Sequence, residues 1–164
     1  YGGAARAPLI AISAILRTLP SLAVLAFVVP LLGVGFVPAA VALTLLAVAP
    51  IAINADIGLR GVPAEAIDAA RGVGMSGLQI FARVAWPQAR PQVLAGVRTA
   101  AIEVIASATL ATFIGAGGLG DLIVRGLQTD DAHALYLGAA TVAILALLVD
   151  GIGALASRRS EARG

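Results

Sequence analysis

The 164 residues include no cysteine and no lysine, and only one histidine, one methionine and one tryptophan. The missing cysteine excludes disulfides and thiolate metal sites, and one histidine cannot build a metal cluster. The missing lysine reaches further. A phosphate-binding P-loop needs Gly-Lys-Ser/Thr, so this chain is not itself an ATPase. Charge is scarce too, with charged side chains at 12% of the chain. No residue pattern asks for a cofactor.

What is present is apolar. Hydrophobic residues make up 60% of the chain and mean hydropathy is +0.99, far outside the range of an ordinary soluble domain. The composition describes an all-α integral membrane protein. A net charge of +2 with a pI near 9.9 raises the question of nucleic acid, but the arginines flank apolar spans instead of clustering on a polar, aromatic face. The chain begins with Tyr1, and nothing before Pro8 has the charged and apolar regions of a signal peptide. A fragment, or a gene start placed too late, is the expectation.

Residues 18–55 carry no charge, and a run of 38 residues exceeds the roughly 20 that cross a bilayer once. Gly33, Gly35 and Pro38 divide it into spans at about 8–32 and 36–59. Arg17 lies inside the first and can snorkel toward the side of Arg6, while Pro20 and Pro30 should bend it. Asp56 and Arg60, spaced i,i+4, can pair where the second span leaves the membrane. Pro91 opens a third span at 93–114, and a fourth covers 134–156. Arg60, Arg71, Arg83, Arg90, Arg158 and Arg159 fall on one side and Arg125 alone in the loop opposite, which makes the 61–91 loop cytoplasmic and the 115–133 loop external. Thr129 or Asp130 is placed to cap the fourth helix.

Residues 65–87 form a polar island between apolar runs. Pro63 suits the first position of a helix, with Glu65 and Asp68 in the turns where the helix dipole favours anions. Gly72 and Gly74 offer positive-φ endings, and Ser76-x-x-Gln79 is a capping-box signature for a second short helix that Pro87 stops. Ala66, Ala69 and Ala70 keep one face small.

Asp68-Ala69-Ala70, then Gly74, then Val84, Trp86 and Pro87 reproduce a spacing in which Glu-Ala-Ala is followed after three residues by Gly, and after nine more by Ile, one residue, Leu-Pro. At these positions the chain resembles the membrane subunits of ABC importers, with Asp for Glu, Val for Ile and Trp for Leu. The resemblance implies a type I (MetI-like) permease bundle, with a further helix usual ahead of this point. It also implies that the loop, through Glu65, Asp68, Ala69, Ala70, Gly74, Met75, Ser76, Leu78, Val84 and Pro87, docks on a separate ATPase subunit and receives the force of its closure. An ordinary interfacial hairpin between two spans is the plain alternative.

Within the third span Thr99, Glu103 and Ser107 recur every four residues and share one face, with Glu103 able to accept hydrogen bonds from either neighbour. A carboxylate at membrane depth costs about 2.5–3.5 kcal/mol on insertion scales and should face the bundle or a wet cavity. The stripe either lines the translocation path or forms a polar seam between helices. Ala111 and Gly115 form a small-xxx-small pair, and Asp150 has a structural role or reaches the cytoplasmic interface.

Gly115-Ala116-Gly117-Gly118-Leu119-Gly120 satisfies G-x-G-x-x-G, but the preceding apolar segment is too long for a strand and no acid lies near 20 residues on, so a dinucleotide loop is excluded by context. In the importer permeases that the chain resembles, this cluster borders the external mouth, implying Gly115, Gly117, Gly118 and Gly120 as gate candidates. A flexible turn is the alternative.

The residues 69–76, 96–101 and 108–121 look like osmoprotectant permeases for glycine betaine, choline or carnitine, while methionine permeases share the loop and the glycine run. The family implies two permease subunits, two ATPase subunits and an extracytoplasmic substrate-binding protein. With aromatics at 4%, a cation–π cage for a quaternary ammonium belongs to that partner. Two other classes make different predictions: an ion-gradient transporter with Glu103 as the coupling group, and a membrane assembly subunit with no uptake.

Overall fold

The computed structural model describes Ile10 and residues 20–161, and every regular element among them is helical. Hydrocarbon offers no water to peptide groups, and a helix satisfies them within its own segment. Helix α1 is Ser21–Leu32, α2 is Phe36–Arg60 and α3 is Ala64–Gly72. Helix α4 runs without a break over Gly77–Ile114. Helix α5 is Gly120–Gln128 and α6 is Ala132–Glu161. Helices α2, α4 and α6 are long and apolar enough to cross a membrane, and α1 is a shorter apolar helix.

Several expectations need correction. Pro20 stands just ahead of α1 in extended geometry, with φ −58° and ψ 135°, and Pro30 lies inside α1. The rest of the 8–32 span, with Arg17 and Arg6, falls outside the described residues. Pro87 does not stop a helix, nor does Pro91 open one. Between Phe81 and Ala85 the helix widens by one residue per turn, with the Trp86 N–H donating to the Phe81 carbonyl. Proline lacks a donor and crowds the carbonyl four residues back, and a widened turn just ahead of Pro87 is one way a helix absorbs both faults. The second short helix expected within the 61–91 loop is therefore the start of the long apolar helix α4.

The 115–133 loop is not irregular either, since α5 occupies its middle. The fourth span begins at Ala132 rather than 134, and its cap is neither Thr129 nor Asp130. Asp131 Oδ1 accepts from the N–H groups of His133 at 2.9 Å and Ala134 at 3.2 Å. Thr129 instead donates to the Arg125 carbonyl, and Asp130 takes φ 53°.

Helix α4 is the spine, packed against α2 on one side and α6 on another; α1 leans on α2, and α5 on α6. Val24, Leu25 and Val28 of α1 meet Ala39, Ala42 and Leu46 of α2 and Ala111 at the end of α4 in one buried cluster. Small residues set the α2–α4 distance. A Cβ on Gly96 would sit 2.6 Å from the Asn54 Cβ, and one on Gly58 2.8 Å from the Ala89 carbonyl oxygen. Most large apolar side chains point outward, among them Phe27, Leu137, Leu147 and Ile152, as expected where the surroundings are hydrocarbon or another subunit.

Candidate functional site

The elbow between α3 and α4 is built from local rules. Pro63 stands just ahead of α3, not at its first position, and Glu65 lies in the first turn. Asp68 and Arg71 pair at 3.2 Å on the exposed face. Gly72 remains helical, contrary to its expected positive φ, while Gly74 takes φ 81°. The Gly74 N–H then donates to the Arg71 carbonyl at 2.9 Å and that of Met75 to the Ala70 carbonyl at 3.1 Å. These are the paired bonds of a Schellman ending.

The next helix starts on a reciprocal cap. Ser76 Oγ accepts from the Gln79 N–H at 3.4 Å, and Gln79 Oε1 accepts from the Ser76 N–H at 2.9 Å. Turn and cap together leave little freedom between residues 72 and 80. Ala70, Ile80 and Ala85 face inward and are buried, whereas Ala69, Val73, Leu78 and Pro87 are exposed and Met75 and Val84 half-buried. Leu78, 78% exposed, is an apolar side chain held out at the tip. Phe81 and Trp86 flank the widened turn with ring centroids 6.3 Å apart. A cavity of about 350 Å³ separates α3 from the end of α2, lined in part by Leu59, Ile67 and Phe81.

The Thr99, Glu103 and Ser107 stripe is present on α4, but its expected hydrogen bonds are not. Thr99 donates to the Ala95 carbonyl at 3.0 Å, as β-hydroxyls in helices do. Glu103 is half-buried and Ser107 buried.

At the far end of α4 the glycine run is an ordered turn. Gly115 takes φ 77°, its N–H donates to the Thr112 carbonyl at 2.9 Å, and that of Ala116 to the Ala111 carbonyl at 3.1 Å. Gly35 from the α1–α2 turn donates to the Ile114 carbonyl at 2.7 Å. Gly117 and Gly118 also have positive φ, and Gly120 is buried where a Cβ would collide with the Thr109 carbonyl and the Thr112 hydroxyl. The elbow, the stripe and the glycine turn are thus strung along one helix at its start, middle and end.

Two polar contacts between helices were not reached from sequence. Gln92 Nε2 donates to Asn54 Oδ1 at 2.8 Å, joining α4 to α2. Within α2, by contrast, Asp56 and Arg60 pair at 2.9 Å as their spacing suggests; the second contact between helices is on the other side of α4. Arg98 meets Asp150 of α6 as a fork, Nε to Oδ1 at 2.6 Å and Nη2 to Oδ2 at 2.7 Å. The signal was available: a charge inside an apolar span demands a partner, and both Arg98 and Asp150 are such charges.

The fold and the sequence both have known counterparts. A chain of the MetNI methionine ABC transporter in an inward facing conformation superposes with a TM-score of 0.82 at 25% identity, covering 92% of this chain and 73% of that one. The carnitine transport permease protein OpuCB of Listeria monocytogenes is 47% identical over 86% of this chain and 65% of its own length. The choline transport system permease protein OpuBB of Bacillus subtilis is 46% identical over 95% of this chain and 72% of its own. This chain therefore spans about two-thirds of such relatives. Residues 1–161 match the model of the binding-protein-dependent transport system inner membrane component. The chain is a member of that family, a membrane permease component with the all-helical MetI-like fold.

Proposed function

We propose that this chain is the permease subunit of an ATP-driven importer for an osmoprotectant of the glycine betaine, choline or carnitine type, and that the elbow is where a separate ATPase subunit grips it. The observation that carries the coupling role is the elbow itself. Its backbone is held by a Schellman ending and a reciprocal cap, it presents exposed Val73 and Leu78, and it continues without interruption into a helix long enough to span a membrane. A push at the tip is delivered to α4 directly. The substrate class is supported by relatives named for carnitine and choline at 46–47% identity; the methionine transporter resembles the chain at 25%.

On this reading Glu65, Asp68, Ala69, Ala70, Gly74, Met75, Ser76, Leu78, Val84 and Pro87 form or support the ATPase contact. Thr99, Glu103 and Ser107 line the path, and the turn at Gly115, Gly117, Gly118 and Gly120 shapes its external mouth. The elbow and the C-terminus lie in the cytoplasm, and a second permease subunit, identical or different, completes the pathway. An extracytoplasmic binding protein delivers substrate.

The test is uptake of labelled glycine betaine by the chain reconstituted with its ATPase and binding protein, in competition with choline, carnitine and methionine. ATP-dependent uptake blocked by choline or carnitine is the expected result. Uptake that follows an ion gradient without ATP, or that survives disruption of Asp68 and Gly74 together, sinks the proposal. Glu103→Gln tests the stripe separately, since unchanged uptake and hydrolysis would remove it from the path.

A further inference from the structure

Helix α6 buries little of itself in this fold. Its large side chains, including Leu137, Ile144, Leu147, Leu148 and Ile152, point outward, and its neighbours are α4 and α5. Toward its start it is held by close packing, because Gly138 brings its backbone against Ile123 of α5, where a Cβ would lie 2.8 Å from the Ile123 Cγ1. Toward its other end the contact is of a different kind. Arg98 of α4 grips Asp150 through two hydrogen bonds, each side chain 35% exposed. One turn on, Gly153 lies under the Arg98 alkyl stem, where a Cβ would meet Cγ at 3.0 Å and Cδ at 3.2 Å.

Two helices in hydrocarbon associate well through small apolar residues, and apolar replacements for an ion pair often leave stability unharmed or improved. A fork adds something that packing lacks. The planar guanidinium meets both carboxylate oxygens in one orientation, so it sets both the rotation and the height of α6 relative to α4. Arg98 also lies on the helix that grows directly out of the elbow, six residues beyond Gln92, which holds the same helix to α2.

We propose that Arg98 and Asp150 are a positioning pair that makes α6 follow α4 when the elbow moves, so that ATP closure is converted into movement of the whole bundle. The pair touches no substrate in this role. The inference rests on the importer reading above, and its test is arranged so that the two fail separately.

The chain, reconstituted with its ATPase and binding protein, is assayed for ATP hydrolysis and labelled glycine betaine uptake in the same vesicles. Asp150→Asn and Arg98→Gln should each keep hydrolysis within about twofold while uptake per ATP falls at least tenfold. Arg98→Lys, which keeps the charge but loses the fork, should be intermediate, and the exchange Arg98→Asp with Asp150→Arg should recover at least half of the uptake. The cysteine-free sequence permits a second readout, with spin labels at Val97→Cys and Leu155→Cys, two exposed positions on α4 and α6. The distance between them should stay single and unchanged on adding nucleotide, and should broaden in Asp150→Asn. An unchanged uptake-to-hydrolysis ratio in both single variants overturns the pair's role, as does a distance that stays sharp without the carboxylate. Failure of Asp150→Asn and Arg98→Lys alike to insert or assemble assigns the pair to folding and also overturns it. Absence of ATP-dependent uptake in the unaltered complex is a failure of the importer reading instead.

Discussion

The two ends of α4 carry nearly the same backbone turn in opposite settings. At the elbow, Gly74 at φ 81° is followed by a bond from Met75 back to Ala70; at the far end, Gly115 at φ 77° is followed by a bond from Ala116 back to Ala111. An added Cβ would meet nothing within 4 Å at Gly74 and only the Gly35 nitrogen, at 3.9 Å, at Gly115, so the difference lies in the residues around each turn. Around the second turn, Ala111 is buried in the main apolar cluster, Ala116 packs on it, and Gly35 donates into the helix end. On the proposed reading, one motif serves two purposes. Where it is exposed, it gives a rigid shape that another protein can hold; where it is buried, it closes the bundle.

The sharpest way to break this contrast is at Gly120, which is needed for space. Gly120→Val should cost more than about 3 kcal/mol, since overpacking a tight site typically costs 1–3 and the obstacle here is the Thr109 backbone. The expected result is loss of the folded protein in detergent, followed by size-exclusion and thermal melting. Gly115→Ala comes next. Left-handed geometry costs a non-glycine residue about 1–2 kcal/mol, and because this turn is packed the loss should appear as a lower melting temperature.

Gly74→Ala incurs about the same 1–2 kcal/mol of strain but should leave global melting nearly unchanged, because the elbow can relax into solvent. The loss should appear in ATPase binding and uptake, with Gly74→Asn milder. Equal melting losses at Gly74 and Gly115 would erase the distinction between a presented turn and a packed one. Ser76→Ala removes half of the reciprocal cap and should weaken the elbow by about 1 kcal/mol, visible as faster amide exchange over residues 76–80. Smallest in stability is Asp68→Asn. Its partner Arg71 is exposed and exposed pairs contribute little, so melting should not move, and a fall in uptake is the result expected of the proposed ATPase contact.

The elbow was legible because its determinants are neighbours in the chain. Ser76 and Gln79 are three residues apart, Gly74 follows Arg71 by three, and both contacts form as the spacing suggests. Three helices long and apolar enough to cross a membrane were legible for a similar reason, as runs of apolar residues need only be counted. Pro87 and Pro91 misled, because a proline stops a helix only when the turn before it cannot widen, and here residues 81–85 do widen. The helix inside the 115–133 loop was hidden by its short length and polar ends. Asp131 was passed over for Thr129 and Asp130 because three adjacent candidates can cap a helix, and only the path of the chain selects among them.

Membrane residence, the helical class and the two local pieces of the elbow, the Gly74 ending and the Ser76–Gln79 cap, followed from the sequence alone, because hydrocarbon permits few backbone solutions and the capping rules act over three to five residues. The pairing of Arg98 with Asp150 across 52 positions, of Asn54 with Gln92 across 38, and the need for glycine at Gly96 and Gly120 were decided only by tertiary structure. Each depends on how close two helices approach, a distance set by all the residues along their contact and by no local pattern in either.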